Sequence, residues 1–430
     1  MWAWSDQRNL TDAFTSALEQ GRALLPGLAV GTYQGLMNAL VKWTPQFMPL
    51  LCRALHRCMQ QLGRHWRTSG WLPLAIDGFR SDAPRTRSNE AAFCAKNYGK
   101  GNRAKYGKKK SKGMRRKRNQ ENPPHPPGPQ VWVTMIWHMG LRLPWLWKLG
   151  PSNSSERHHA ETMIKRGKCP VNTLFCADAG FVGFPFWSHL MQEGYDFLVR
   201  VGANVSLLSE LGNCHFKHVG SEGIVWCWPG AAQKSAQAPL RLRLMRIRLG
   251  KTDMWLLTSV LEPKRLTLKQ AEQFYRMRWG VEVEIRGLKQ TLVRAKLRCR
   301  DSHRLMVELE WSILAMAVAE LFALKEQLAV KEVKRQGKKQ KPDPAHRSLA
   351  QTMRALRECL RQPHQVPMPE RDLSTLLRGA VTDDYVRQAD KRARYRPKNP
   401  DKKPLGDPKL QRLTRTVLNL LKAFEAANAA

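Results

Sequence analysis

One short segment of the chain carries a phenol, a guanidinium, a carboxylate and an ammonium group at helical spacing. These are Tyr275, Arg278, Glu282 and Lys289, in the pattern Y-x2-R-x3-E-x6-K. On an α-helix the four positions fall within a stripe roughly 60° wide, and Glu284 lies about 200° away from Glu282 on the opposite side. A carboxylate within a row of phosphate-binding groups can hold a metal ion against a nucleic-acid backbone. The alternative is an exposed helix with i,i+4 ion pairs such as Arg278–Glu282.

Two more acids stand near the ends of apolar segments. The run 71–79 contains Asp77 before Gly78, and the run 172–178 ends in Asp178 before an alanine and a glycine. Each pattern is typical of a buried strand with a carboxylate at its edge. A charge in such a strand is costly unless it is paired or bound to a metal. For Asp77 the alternative is a structural aspartate that starts a turn at Gly78.

Asp77, Asp178 and Glu282 together form an acidic triad that is widely spaced in the sequence. Such carboxylates can converge on two divalent cations about 3.5–4 Å apart, one activating the attacking water or hydroxyl and the other stabilising the leaving oxygen. Because all the ligands would be oxygens, Mg²⁺ is expected, and Mn²⁺ can substitute for it. In a protein this basic, the triad predicts a two-metal site that acts on a phosphodiester.

Composition points to the same class of substrate. Among 430 residues, 73 Lys and Arg outnumber 35 Asp and Glu, for a formal charge of +38. This charge predicts a nucleic-acid partner, because neutralising phosphates releases condensed counterions. RNA is the alternative to DNA, but no aromatic RNA-binding signature supports it. Membrane binding would need an apolar anchor, and the longest apolar run, 313–324, is short, interrupted by Glu320 and predicted to be a buried helix.

Two further features concern cysteine and lysine. The nine cysteines are odd in number and form no C-x-x-C pair, which indicates free, mainly buried thiols. Residues 214–227 include two Cys and two His that could hold zinc, although their spacing fits no familiar zinc finger. Residues 100–118 contain eleven Lys or Arg and no acid. We expect a flexible phosphate-binding arm there, with Lys108, Lys109 and Lys110 at its centre; a nuclear-localisation signal is the alternative.

Hydrophobic periodicity divides the chain into four regions. The predicted domains are a helical, DNA-binding N-terminal region (1–70), an α/β catalytic core (71–200 and 263–327), a β-rich insertion (201–262), and basic linkers with amphipathic helices (328–430). Within them we expect helices at 36–43, 47–62, 155–166, 184–192, 266–277, 279–298, 304–327, 346–361 and 408–426. Besides the two acid-bearing strands, we expect strands at 131–138, 143–149, 195–200, 223–228, 239–248 and 254–260.

These residues resemble the DDE transposases of bacterial insertion sequences, specifically the IS4 family, which is marked by the same Y-x2-R-x3-E-x6-K signature. Asp77-Gly78 resembles the first acidic block of that family. Asp178-Ala-Gly-Phe181 resembles the second, whose commoner form is Asp-Arg-Gly-Phe, so one basic contact is lost while the acid remains. Trp255-Leu-Leu-Thr-Ser259 resembles the strand that precedes the signature helix. The resemblance spans about residues 71–300.

The resemblance implies a ribonuclease H-like core with a β-strand insertion between the second Asp and the Glu. It implies that Asp77, Asp178 and Glu282 bind two Mg²⁺ ions, and that Tyr275, Arg278 and Lys289 contact phosphates near the transposon end. Arg200 resembles a DNA-contacting arginine of the family, with a surface charge at a strand end as the alternative. A tryptophan of the insertion would stack on a flipped base. Trp255 is the candidate, Trp226 and Trp228 are alternatives, and each could instead be a core aromatic.

The implied reaction is cut-and-paste transposition of DNA. Hydrolysis at a transposon end would expose a 3′-hydroxyl, which would then attack target DNA at the same site. Joining two ends in one synaptic complex makes a homodimer the expected assembly, and no signal peptide is apparent, so we expect a cytoplasmic, nucleoid-associated protein. Two alternatives stay open: a metal-dependent nuclease of the same fold that only cuts, and an inactive DNA-binding derivative.

Overall fold

The computed structural model describes residues 1–7, 9–94, 128–167, 169–210, 212–250, 252–335, 337–361, 372–384 and 405–429. The predicted basic arm, with Lys108, Lys109 and Lys110, lies outside these ranges. In the described part of the chain, no helix is long and apolar enough to cross a membrane. The strands are β1 (Leu72–Asp82), β2 (Gln130–His138), β3 (Leu143–Gly150), β4 (Thr173–Ala177), β5 (Asp196–Val201), β6 (Ser206–Ser209), β7 (Glu222–Cys227), β8 (Leu240–Leu249), β9 (Thr252–Thr258), β10 (Val333–Arg335), β11 (Lys338–Gln340) and β12 (Lys409–Arg412).

Most of the predicted helices are found among the helices of the described residues. They are α1 (Leu10–Leu24), α2 (Tyr33–Gln61), α3 (Arg87–Phe93), α4 (Glu156–Gly167), α5 (Phe184–Gln192), α6 (Gly230–Lys234), α7 (Leu268–Arg278), α8 (Gly280–Gln290), α9 (Ser302–Leu328), α10 (Leu349–Arg361), α11 (Leu373–Arg378) and α12 (Arg415–Ala429). The predicted buried helix at 313–324 is confirmed as part of α9, which packs against α2, α10 and α11.

A large mixed sheet forms the centre of the protein. Its strand order is β12-β6-β7-β8-β9-β5-β4-β1-β2-β3. The predicted hairpin is confirmed as β2 and β3, which follow β1 antiparallel, whereas β4 pairs parallel with both β1 and β5. The strands of the predicted insertion extend this same sheet, because β9 pairs antiparallel with β5. The α/β class with helices around a central sheet is therefore confirmed.

Alternate residues of β1 enter two apolar clusters on opposite faces of the sheet. Leu74 and Ile76 pack into the cluster that contains α4 and α5, and Ala75 and Phe79 pack into the one that contains α7, α8 and α9. Since side chains alternate along a strand, Asp77 is directed toward the α7–α9 face and Gly78 toward the α4 face. The pleat of one strand thus presents the first acid to the signature segment.

Two helix predictions were wrong at their boundaries. We expected separate helices on either side of Pro45, but α2 runs through Pro45 and Pro49 without interruption. The helix continues because Met37, Met48 and other apolar residues of one face are buried against the core, which outweighs the missing proline N–H groups. Residues 408–414 are not helical either: β12 pairs with β6 there, and α12 starts only at Arg415.

The second signature helix also ends eight residues earlier than predicted, at Gln290. Val293 adopts a left-handed backbone, with φ of 56°, and reverses the chain. The guanidinium of Arg294 is then buried, donating to the carbonyl of Leu292 at 2.7 Å and to Ser312 on α9 at 2.7 Å. A tertiary anchor on α9 therefore stops the helix, although its local sequence favours continuation.

Candidate active site

The first two acids meet where strand pairing stops. The parallel pairing of β1 with β4 ends at Ile76 and Ala177, so Asp77 and Asp178 follow at the same place in the sheet. Asp77 is not at the end of its strand as predicted, because β1 continues to residue 82 through its pairing with β2. Asp178 accepts a hydrogen bond from the Gly180 amide at 2.8 Å, which holds the turn after β4.

The signature segment forms two helices, α7 and α8, as predicted at 266–277 and 279–298, so its four residues do not share one continuous helix. The chain kinks at Trp279 between α7 and α8, where Gly280 packs directly against Trp137: a β-carbon at residue 280 would lie 2.2 Å from that ring. A capping box at Thr267 and Gln270 begins α7. Both helices still pack onto β1, β4 and β8, so their functional side chains face the acids of the sheet.

Arg278 links the helical signature to the strand acids. Its Nη2 donates to Oε1 of Glu282 at 3.1 Å, and only 7% of its side chain is exposed. Burial alone would lower the pKa of Arg278, but the neighbouring acidic groups, Tyr275, Asp77, Glu282 and Asp178, raise it overall. A buried guanidinium surrounded by three carboxylates is held by their charge, and it partly neutralises them.

The electrostatics of Asp77 reflect its burial first and its charged neighbours second. Burial raises the pKa of Asp77 to about 6, and the negative charges of Asp178 and Glu282 act in the same direction. The Gly78 amide and Arg278 oppose the increase. Asp178, Glu282 and Arg278 are thus the charged groups that act on Asp77.

The remaining predicted phosphate contacts gather around this centre. Arg200, at the end of β5, contacts the hydroxyl of buried Tyr275, whose pKa is raised by burial. The ammonium of Lys289 lies 5.0 Å from the centre of the Phe79 ring. Burial lowers the pKa of Lys289, while Asp82 and Asp77 oppose that change. Arg200, Tyr275, Arg278 and Lys289 thus border the acids on the α7–α8 side.

Trp255, the predicted base-stacking residue, is buried. Its indole is 6% exposed, its Nε1 donates to Oδ1 of Asp407 at 2.7 Å, and its ring contacts Phe216. Trp226 and Trp228 are also buried. A buried indole is not accessible for stacking on a base, so the structure favours the core interpretation that the sequence left open for these residues.

Sequence reasoning missed two residues near the acids. Trp279, at the kink between α7 and α8, is 55% exposed and stands beside Arg278 and Gly280. Glu156 is the first residue of α4, and burial raises its pKa to about 7, with the charges of Asp77 and Asp178 adding to that effect. The sequence signal for Glu156 was weak: a glutamate in the first turn of a helix is common for reasons unrelated to function.

The donor set is suited to a hard divalent cation. Asp77, Asp178 and Glu282 would supply only oxygen ligands, which favours Mg²⁺ or Mn²⁺ over zinc. Burial is the main cause of the raised pKa of Asp77, the charges of Asp178 and Glu282 add to it, and a bound cation would favour the ionised carboxylates. Across the described ranges, no three Asp, Glu, His or Cys side chains are grouped closely enough to form a ready-made metal site. The carboxyls converge on one region without enclosing a coordination sphere.

Comparison with known proteins finds similarity to transposases. Residues 139–318 match the family model of the transposase DDE domain, a range that includes Asp178 and Glu282, whereas Asp77 precedes it. A curated relative, the transposase InsG for insertion sequence element IS4 of Escherichia coli (strain K12), is 28% identical over 259 residues. That alignment covers 58% of this chain and 51% of the relative, so the chain spans about half the length of that protein.

Among solved structures, a piggyBac transposase synaptic complex with hairpin DNA aligns with 74% of this chain and 59% of its own, at 14% identity and a TM-score of 0.34. A TM-score this low does not establish a common fold. The match of residues 139–318 to the transposase DDE domain and the similarity to the IS4 relative confirm the resemblance that was predicted from the Y-x2-R-x3-E-x6-K signature and Asp178.

Proposed function

We propose that the protein is a DNA transposase that cuts the ends of an insertion sequence and joins them to target DNA. The observation that carries the proposal is the end of the β1–β4 pairing, which puts Asp77 and Asp178 at one place in the sheet, with the Arg278–Glu282 pair of the signature packed on that sheet. The strand order β3-β2-β1-β4-β5, with β1, β4 and β5 parallel, supports a ribonuclease H-like core for this site. The net charge of +38 supports DNA as the partner.

Each group has a role that follows from its chemistry. Asp77, Asp178 and Glu282 would hold divalent metal, which when bound supplies activation of the attacking oxygen and charge stabilisation at the leaving oxygen. Arg278 holds the Glu282 carboxylate in position through its hydrogen bond of 3.1 Å. Lys289 and Arg200 would neutralise phosphates on either side of the scissile bond. Such contacts fix the register of the DNA and carry no base specificity of their own.

A plasmid excision assay tests the proposal. Full-length protein with Mg²⁺ is incubated with a plasmid that carries the native flanking DNA. We expect the wild type to release a discrete fragment and Glu282→Gln to reduce release by at least about 10³-fold, because an amide cannot supply the ligand charge. Glu272→Gln is the matched control: this glutamate lies on α7 and pairs with Arg276, so excision should be unchanged.

The assay also separates the alternatives. Equal release by the wild type and Glu282→Gln would mean that another carboxylate performs the catalysis. Cutting without joining of a supplied 3′-hydroxyl end would indicate a nuclease of the same fold. DNA binding without release by any variant would indicate an inactive DNA-binding derivative. In electrophoretic binding assays on the same variants, Glu282→Gln should retain DNA affinity, as the transposase proposal requires.

A further inference from the structure

A fourth carboxylate, that of Glu156, stands beside the three predicted from sequence. Its Oε1 occupies the space next to the Gly78 backbone: a β-carbon added at Gly78 would lie 2.5 Å from that oxygen. Gly78 directly follows Asp77 in β1. The absence of a side chain at residue 78 is thus what allows the Glu156 carboxyl to reach the strand.

The position of Glu156 is fixed from both sides of the site. The neighbouring Arg157 donates from Nη1 to the carbonyl of Val182 at 2.8 Å, which ties the start of α4 to the segment that follows Asp178. The helix itself packs on β1, β2 and β3. Glu156 therefore lies between the strand that carries Asp77 and the turn that begins with Asp178.

The end of strand pairing explains how Glu156 can join acids on the other face. Gly78 is directed toward α4 and Asp77 toward α8, but β4 stops at Ala177. Past Ile76, β1 has no β4 residue paired beside it. On that side of β1, side chains from the α4 face and the α8 face of the sheet can therefore approach each other. The Glu156 carboxyl at Gly78, the neighbouring Asp77 and the Asp178 that follows Ala177 therefore gather around the same end of the β1–β4 pairing.

Such an arrangement is unfavourable without a cation. Glu156 is only partly exposed, and carboxylates gathered at one place repel one another. The guanidinium of Arg80, which has the opposite charge, stacks on Trp132 with its central carbon 4.2 Å from the ring centre. A cation bound among the carboxylates would reverse the sign of their interaction. Given the proposed transposase function, we infer that Glu156 is a fourth metal-binding carboxylate, acting with Asp77 and Asp178 on the α4 side of the site.

Mn²⁺ binding to the full-length protein tests this inference without relying on catalysis. The electron paramagnetic resonance signal of free Mn²⁺ reports the number and affinity of bound ions. We expect Glu156→Gln to weaken Mn²⁺ affinity by about tenfold or more, which is the range expected for groups that support a metal site. Glu161→Gln, one turn along α4 with His158 as its partner, is the matched control and should bind like the wild type.

Glu156→Asp separates ligation from charge. It keeps the negative charge and moves the oxygens back by one methylene, so a ligand role predicts weakened binding, whereas a purely electrostatic role predicts wild-type affinity and would overturn the inference. Wild-type affinity in Glu156→Gln would overturn it as well. If Asp77→Asn weakens Mn²⁺ binding and Glu156→Gln does not, the inference about Glu156 is wrong, while the metal site of the proposed function is kept. If the wild type binds no Mn²⁺, the proposed function fails with it. Thermal unfolding of each variant checks that the fold is intact.

Discussion

At the residue scale, two glutamates on one helix have opposite environments. Glu282 faces the acids of the sheet, whereas Glu284, as its helical position predicted, is buried on the other side of α8. Burial raises the pKa of Glu284 well above its usual range, and the charge and hydrogen bond of Glu320 add to this effect. Arg347 balances Glu320 through a contact of 3.2 Å and also donates to the Leu141 carbonyl at 3.0 Å.

This contrast predicts that a Glu→Gln substitution abolishes excision at residue 282 and is tolerated at residue 284. Because the raised pKa of Glu284 favours a protonated carboxyl that donates to Glu320, Glu284→Gln keeps a donor there and should leave both stability and excision near the wild-type values. Glu284→Ala, by contrast, leaves a cavity and a buried carboxylate with one partner fewer, and should cost about 1–3 kcal/mol. Urea denaturation measures the cost. Loss of excision in Glu284→Gln, at unchanged stability, would contradict the structural role.

Glu310 on α9 provides a pH-dependent prediction. Burial raises its pKa to about 7, above the value of about 4.3 expected in the unfolded chain. The folded state therefore binds more protons between these values, and this residue lowers stability as the pH rises from roughly 4.3 to about 7. Glu310→Gln should be more stable than the wild type at pH 8, with the advantage disappearing toward pH 4. An advantage of equal size at both pH values, measured by urea denaturation, would contradict this.

At the element scale, the junction between α7 and α8 determines how the four signature side chains are positioned. Residues 275 and 278 belong to one helix and residues 282 and 289 to the next, so the packing of their junction sets the relative positions of the four side chains. Gly280 allows that junction to rest on the fully buried Trp137 of β2. The sheet thus positions the helices through one close contact.

Gly280→Ala should disturb the site through this contact. The added methyl group would meet the Trp137 ring at 2.2 Å, and relieving the overlap should cost about 1–3 kcal/mol. We also expect a loss of excision larger than the loss of folded protein explains. Gly230→Ala is the control, because a β-carbon there meets nothing within 4 Å. Wild-type thermal stability and excision in Gly280→Ala would show that the junction is not restrictive.

At the scale of the whole molecule, the C-terminal segment returns to the sheet. Residues of β12 pair with β6 at the edge of the sheet, and Leu405 packs closely on Gly202. Asp407 accepts the hydrogen bond of the buried Trp255 indole. The segment after residue 404 therefore covers strands that the sequence assigned to an insertion, and it protects an edge that would otherwise be exposed.

Removing the Asp407 acceptor tests this covering role. Asp407→Ala leaves the buried Trp255 N–H unpaired and should destabilise the protein by about 1–3 kcal/mol. Asp407→Asn keeps an oxygen acceptor and should retain most of the stability. The urea midpoint measures both, and tryptophan fluorescence reports the environment of the indole. Equal stability of the wild type and Asp407→Ala would show that the segment is not anchored there.

The sequence by itself determined the chemistry and most of the elements. The acids, the signature spacing and the positive charge are local properties, as is the alternation of apolar residues that placed the hairpin β2–β3 and helices α4, α5 and α9. Element ends were less predictable. Pro45 did not end α2, and α8 stopped at Gln290, because burial against distant elements outweighs local preference.

Only the tertiary structure decided which side chains share a site. The end of pairing between β1 and β4 brings Asp77 beside Asp178, and the kink at Gly280 turns Glu282 toward them. Burial then separates candidates of the same residue type, enclosing Trp255 while exposing Trp279. No local sequence pattern predicted that Glu156 would lie beside Asp77 and Asp178. Proximity across a sheet depends on the order of the strands and on where each strand ends. Neither can be deduced from the spacing of residues along the chain.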